Sequence, residues 1–184
     1  HPTRSTDPFK GPKDRLSPEF KEGWAGFMRW MASHRGAVTL FLITDLLENP
    51  AVAVVLGQAM EAFPDRLTVA CHGHTHRSWS AWGEDVEGFR TMLQTSTGLL
   101  KSHAGPAFRA YLRAPNGYVA SWMASVLAEA GYVVDPSANP SWLVKSKAGG
   151  AAGKSVVHAR ENAGLTERPW STPPTVSRTA QHTS

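Results

Sequence analysis

The 184-residue chain has little of what marks several classes of protein. A single cysteine, Cys71, excludes an internal disulfide framework. The longest apolar runs, residues 37–43 and 51–56, fall far short of the roughly 20 residues that span a bilayer, so we expect no membrane span. The N-terminal stretch HPTRSTDPFKG has no apolar signal core. This slightly favours the cytoplasm, while the cellular compartment stays open.

The chain also has only a small excess of positive over negative charge. The 19 Lys and Arg against 15 Asp and Glu give a net charge of +4, and no basic block interleaves with aromatic residues, so we expect no nucleic-acid partner. With 41% hydrophobic and 18% charged residues, the composition is typical of a globular domain. We expect one α/β domain over residues 1–170 and a disordered tail over 171–184, and the oligomeric state cannot be read.

What is present is an alternation of helical and strand patterns. Ser17 and Pro18 begin a predicted helix that stops at Gly36, and AVTLFLI then predicts a strand buried on both faces. The pattern continues with a helix over 49–64, the strand RLTVAC, a helix over 83–105, the strand FRAYLRA, the helix VASWMASVLAEAG and the short strand YVVD. This order predicts parallel strands with right-handed crossovers, and functional groups at the carboxyl ends of the strands.

Three histidines follow the strand RLTVAC in the stretch HGHTH. If the chain turns helically after Gly73, His72 and His76 lie on one face, about 6 Å apart at Cβ, and His74 points elsewhere. This spacing favours one divalent metal ion held by His72 and His76, and we expect Zn²⁺, which suits imidazole ligands. The alternative is a histidine-rich loop that only closes a strand.

The stretch RAPNGY closes the third predicted strand. Pro115 fixes φ, Gly117 permits a positive φ, and Arg113 can reach back as a fixed cation. An ordinary turn between strand and helix is the alternative. Asp135 stands at the end of the following strand.

Together these motifs resemble the polysaccharide deacetylases. His72-Gly-His-Thr-His76 looks like that family's His-(Ser/Thr)-x-x-His metal pair, with Gly73 at the place of the usual hydroxyl residue. RAPNGY is similar to its Arg-x-Pro-x-Gly-(Tyr/Phe) motif, and the segment AVTLFLITDLLENP also agrees in order and spacing. The resemblance covers about residues 16–144. It implies a distorted (β/α) barrel, whose completeness at the C-terminus stays open, that removes acetyl groups from N-acetylated sugars with a divalent metal.

The resemblance also implies roles for individual residues. His72 and His76 become metal ligands, and Arg113 holds a catalytic carboxylate in place. The family's first motif, Thr-Phe-Asp-Asp, supplies a base and a third ligand, but here only Asp7 in TRSTDPF stands at that place. Whether Asp7 is ligand, base or part of a plain turn stays open.

Other roles are assigned less directly. Asp135 and His158 are the remaining candidates for proton transfer, His158 because SVVHA partly matches the family's last motif, Leu-x-His. Pro115, Gly117 and Tyr118 are candidates for contact with the substrate, an N-acetylated glycan or a small amide. The identity of that substrate is not readable from the sequence.

Two other functions remain open. The stretch GHTH, residues 73–76, also fits the last motif of calcineurin-like metallophosphoesterases, although their earlier motifs are missing from the preceding 72 residues. The second alternative is a degenerate deacetylase-like domain that binds metal and glycan without catalysis, because one carboxylate stands where the family has two.

Overall fold

The computed structural model describes residues 15–81, 83–115, 119–135 and 166–167. Strands and helices alternate along them, as the sequence predicted. The four helices are α1 (Pro18–Ser33), α2 (Pro50–Ala62), α3 (Val86–Ala104) and α4 (Ser121–Glu129), and the strands are β1 (Val38–Leu42), β2 (Leu67–Cys71), β3 (Phe108–Leu112), β4 (Val134–Asp135) and β5 (Thr166–Glu167). Short 3-10 turns cover Thr44–Glu48, Trp79–Ala81 and Gly105–Ala107.

The strands form a parallel sheet in the order β1-β2-β3-β4-β5. The first three are five residues long, whereas β4 and β5 have two residues each. Leu42 pairs with Cys71, and Cys71 pairs with Leu112, so the carboxyl ends of β1, β2 and β3 meet at one edge. The α/β class is confirmed, while the closed barrel stays a prediction because the described strands do not show it.

Local sequence explains where the first two helices begin. The Ser17 side chain accepts a hydrogen bond from the Phe20 N–H at 3.1 Å, and Pro18 occupies the first turn of α1. In α2 the same arrangement is made by Asn49, whose side chain accepts from the Ala51 N–H at 2.9 Å. Helix α1 ends with His34 as its C-cap, short of the expected Gly36.

The main core lies where β2 and β3 pack against helices α3 and α4. Its fully buried side chains include Val69, Leu93, Leu112 and Leu127. The expectation that β1 is buried on both faces is wrong, because all five of its residues are only partly buried. The physical reason is its position: β1 is first in the strand order, with β2 as its neighbour, whereas β2 lies inside the sheet and is almost wholly buried.

Several predicted features lie outside the described residues. They are Asp7, Gly117, Tyr118, His158 with the stretch SVVHA, and the boundary and tail expected near residue 170. Within the described ranges, no helix combines the length and the apolar character that a membrane crossing requires.

Candidate metal centre

The histidine loop, residues 72–78, leaves β2 at the carboxyl edge of the sheet. Backbone hydrogen bonds tie it to the chain that follows β1. The His72 N–H donates to the Leu42 carbonyl at 2.7 Å, and the Thr44 N–H donates to the Gly73 carbonyl at 3.0 Å. The loop is therefore held by backbone that the sheet itself positions.

The predicted helical turn after Gly73 is wrong, because residues 74–76 form a bend and the rest of residues 72–78 has no regular secondary structure. Gly73 has φ of +88°, a value that glycine adopts without strain and that turns the chain sharply after the strand. The two imidazoles meet nevertheless: the ring centroids of His72 and His76 are 5.1 Å apart, with the ring planes inclined at 64°.

A hydrogen bond from the end of β3 fixes the ring of His72. Its Nδ1 lies 2.7 Å from the carbonyl oxygen of Arg113. Because a carbonyl oxygen only accepts, Nδ1 carries the proton and Nε2 carries the lone pair in the neutral ring. A carbonyl that accepts a hydrogen bond from one ring nitrogen is a common outer partner of a histidine that binds metal through the other.

The surroundings of His72 also favour its neutral form. Burial lowers the pKa of His72, the nearby His76 and Arg113 lower it further, and the hydrogen bond to the Arg113 carbonyl opposes them. Metal ions bind the neutral imidazole, so a lowered pKa keeps this ligand available at neutral pH.

The separation of the two histidine rings is compatible with one bound ion. For Zn–N bonds of about 2.0–2.1 Å in tetrahedral geometry, two imidazole centroids lie roughly 5 Å apart, close to the separation here. In the part of the chain that the structure describes, no group of three His, Cys, Asp or Glu side chains could hold a metal. A metal ion held by this pair would therefore need a further ligand from outside these ranges, where Asp7 lies.

His74 points away from this pair, as the sequence predicted. Its Nδ1 lies 3.1 Å from Oγ1 of Thr44, a fully buried residue directly behind the loop. Thr44 was not singled out from the sequence, although its place just after β1 follows the rule that functional groups gather at strand ends. Ser96, which contacts Thr44 from α3, carries no such signal in the sequence.

The end of β3 closes the other side of the loop. The Arg113 guanidinium carbon is 4.8 Å from the centroid of the Phe41 ring. Pro115 is buried, and its carbonyl accepts a hydrogen bond from the Ser78 hydroxyl at 3.4 Å. The two sequence motifs, HGHTH and RAPNGY, therefore contact each other through described residues.

Two further residues take positions that bear on the site. Asp135 ends β4, the strand next to β3, and its backbone pairs with Glu167 of β5. The structure describes the backbone of Asp135 but not its side chain. Trp79, which follows the histidine loop, packs into the core, with its ring 5.7 Å from that of Phe89.

Fold and site together define an α/β protein with a candidate metal centre at the carboxyl edge of a parallel sheet. The polysaccharide deacetylase family model matches residues 11–134, which is more than half of the chain. The chain belongs to the polysaccharide deacetylase family. No curated protein and no solved structure matches it. Membership supports a deacetylase kind of function, that is, hydrolysis of an amide.

Proposed function

We propose that the chain is a metal-dependent hydrolase that removes acetyl groups from N-acetylated sugars or related amides. The observation that supports this most is the adjacent pair of imidazoles of His72 and His76, one of them fixed by the Arg113 carbonyl, in a deacetylase domain. We further propose that the described sheet is part of a distorted (β/α) barrel.

Three residues would hold the metal, which we propose to be Zn²⁺. His72 and His76 supply imidazole nitrogens, and Asp7 is the proposed third ligand, since two histidines and one carboxylate leave positions open for water and substrate. When bound, Zn²⁺ supplies a Lewis acid that polarises the acetyl carbonyl and makes water a stronger nucleophile.

The remaining chemistry falls to residues around the pair. We assign Arg113 to holding a carboxylate in place, as its position beside the loop allows. Asp135 and His158 are the candidates for taking the proton from water and returning it to the departing amine, a role that Asp7 fills only if it is not a ligand.

The substrate-binding assignment follows the motif after β3. Pro115, Gly117 and Tyr118 are proposed to line the site, and among them Pro115 lies against the histidine loop. An N-acetylated glycan is the proposed substrate class. A small N-acetylated amide would use the same chemistry at the metal.

The test is acetate release from N-acetylglucosamine oligomers with Zn²⁺ or Co²⁺ added. We expect slow release that EDTA, His72→Ala and Asp7→Asn each abolish. The rate should be low because general-base catalysis contributes about 10²- to 10⁴-fold, and one carboxylate stands where the family has two. His103→Ala, which removes an exposed histidine near the end of α3, is the control and should leave the release unchanged.

Other outcomes would overturn the proposal. Release that is insensitive to EDTA and to His72→Ala would place the chemistry elsewhere. A metal-loaded chain with no release at all would indicate a binding domain without catalysis. Release of phosphate from a phosphoester would instead support the metallophosphoesterase alternative.

A further inference from the structure

We propose that the buried hydroxyls of Thr44 and Ser96 are positioning residues for the histidine pair. They connect helix α3 to the histidine loop through the ring of His74. This inference rests on the proposed function, because it concerns the same metal site, but its first test requires no metal.

The burial of the two hydroxyls shows that their contacts are specific. Thr44 and Ser96 are both 0% exposed, and they are the two polar residues that are buried among those the structure describes. Their oxygens are 3.0 Å apart. A hydroxyl in such a place must be satisfied within the protein, because water is not available to replace a lost partner.

The direction of each hydrogen bond follows from the number of protons available. The Thr44 hydroxyl donates its single proton to Oγ of Ser96, and the Ser96 hydroxyl donates to Sδ of Met92 at 3.5 Å. Thr44 Oγ1 can therefore only accept from His74, whose Nδ1 is 3.1 Å away. His74 is thus held with its proton on Nδ1 and its lone pair on Nε2.

This chain of hydrogen bonds fixes the middle of the loop between the two proposed ligands. Two backbone hydrogen bonds hold the same part of the loop. The Thr44 N–H donates to the Gly73 carbonyl and the Asp45 N–H donates to the His74 carbonyl, each at 3.0 Å. With the His74 ring and its own carbonyl both anchored, the loop has little freedom to move His72 and His76 apart. Without Thr44 Oγ1, the backbone anchors remain but the ring anchor is lost.

The first experiment observes the ring of His74 directly. In the metal-free protein, nitrogen-15 NMR of the neutral side chain should show the proton on Nδ1. Thr44→Val, which keeps the shape but removes the hydroxyl, should give a mixture of the two tautomers, whereas Thr44→Ser should keep the native one. If Thr44→Val does not fold, Ser96→Ala removes the next partner in the chain and should shift the population in the same direction.

The second experiment titrates Zn²⁺ into the same variants by calorimetry. We expect Thr44→Val to weaken Zn²⁺ binding by about 10-fold, the lower end of the range for loss of a ligand's own outer partner, because Thr44 acts on the loop through His74 and not on a ligand directly. Thr44→Ser should restore the affinity. Thr39→Val is the matched control: it removes a hydroxyl that lies 2.9 Å from the Thr68 hydroxyl across β1 and β2, and it should leave Zn²⁺ affinity unchanged.

The results separate this inference from the proposed function. If the wild type binds Zn²⁺ and Thr44→Val binds it as tightly as Thr39→Val does, with the His74 tautomer unchanged, the positioning role is refuted. If the wild type binds no Zn²⁺, the proposed function fails and so does positioning for a metal. The NMR result then decides only whether the hydroxyl pair orders the His74 ring.

Discussion

At the scale of single residues, three identical side chains in HGHTH have three different surroundings. His72 donates a hydrogen bond to the Arg113 carbonyl, and His74 is hydrogen-bonded to Thr44. His76 is exposed to solvent and lies next to His72. Spacing in the sequence predicted which two would pair. It could not predict the protonation of either ring, because the partners lie 41 and 30 residues away along the chain.

Gly73 gives a prediction about the backbone of the loop. Its φ of +88° is unfavourable for any residue with a Cβ, and an added Cβ would lie 3.1 Å from the Thr75 carbonyl oxygen. We therefore expect Gly73→Ala to lower the free energy of unfolding by about 1–2 kcal/mol, measured by urea denaturation. It should also weaken Zn²⁺ binding, because the loop would have to shift.

Gly57 provides the control for that experiment. It lies within α2, where an added Cβ would meet nothing within 4 Å, so Gly57→Ala should raise stability by about 0.5–1 kcal/mol. A Gly73→Ala variant as stable as the wild type would mean that the loop adopts another backbone conformation.

At the scale of helices and strands, local patterns predicted the elements but not their places in the sheet. The caps Ser17 and Asn49 act within three residues, so the helix starts were readable. The partly buried position of β1 was not, because strand order depends on pairing between distant segments. The sequence did not predict the contacts between β2, α3 and the segment after α4 either. These contacts are made by Cys71, Thr97 and Tyr132.

These contacts predict how stability depends on alkaline pH. Burial raises the pKa of the Cys71 thiol and that of the Tyr132 hydroxyl, which lies 2.9 Å from Thr97 Oγ1; the charge of Cys71 also raises the pKa of Tyr132. Because both pKa values are raised in the folded state, both groups contribute to stability. The contribution is complete when the pH is below the ordinary pKa values of 9.0 and 10.0. That contribution is lost as the pH rises above them, because the unfolded chain releases these protons first.

Urea unfolding at a series of pH values from about 8 to about 11 measures this effect. The free energy of unfolding should fall with pH in the wild type and fall less steeply in Tyr132→Phe, which also loses about 1 kcal/mol with its hydrogen bond to Thr97. Tyr111→Phe, on β3, controls for the loss of one phenol. An equal slope in Tyr132→Phe and wild type would show that Tyr132 ionises as freely in the folded protein as in the unfolded chain.

At the scale of the whole molecule, the parallel sheet explains why residues distant in sequence form one site. The match to the deacetylase family covers residues 11–134 and includes both HGHTH and RAPNGY. The carboxyl-edge rule predicted that these motifs would lie together, and the bond from His72 to Arg113 confirms their contact. The sequence supports a third metal ligand less well than the two histidines, because a single carboxylate, Asp7, stands where the family motif has two.

Zinc titration with metal analysis of the purified chain and its three histidine variants tests the metal centre most directly. We predict about one Zn²⁺ per chain, because the described residues contain one such pair of adjacent imidazoles. His72→Ala and His76→Ala should each abolish the bound metal, whereas His74→Ala should still load at saturating Zn²⁺, with weaker affinity. Loss of metal from His74→Ala equal to that from His72→Ala, or full loading of His72→Ala, would contradict the assignment of the ligands.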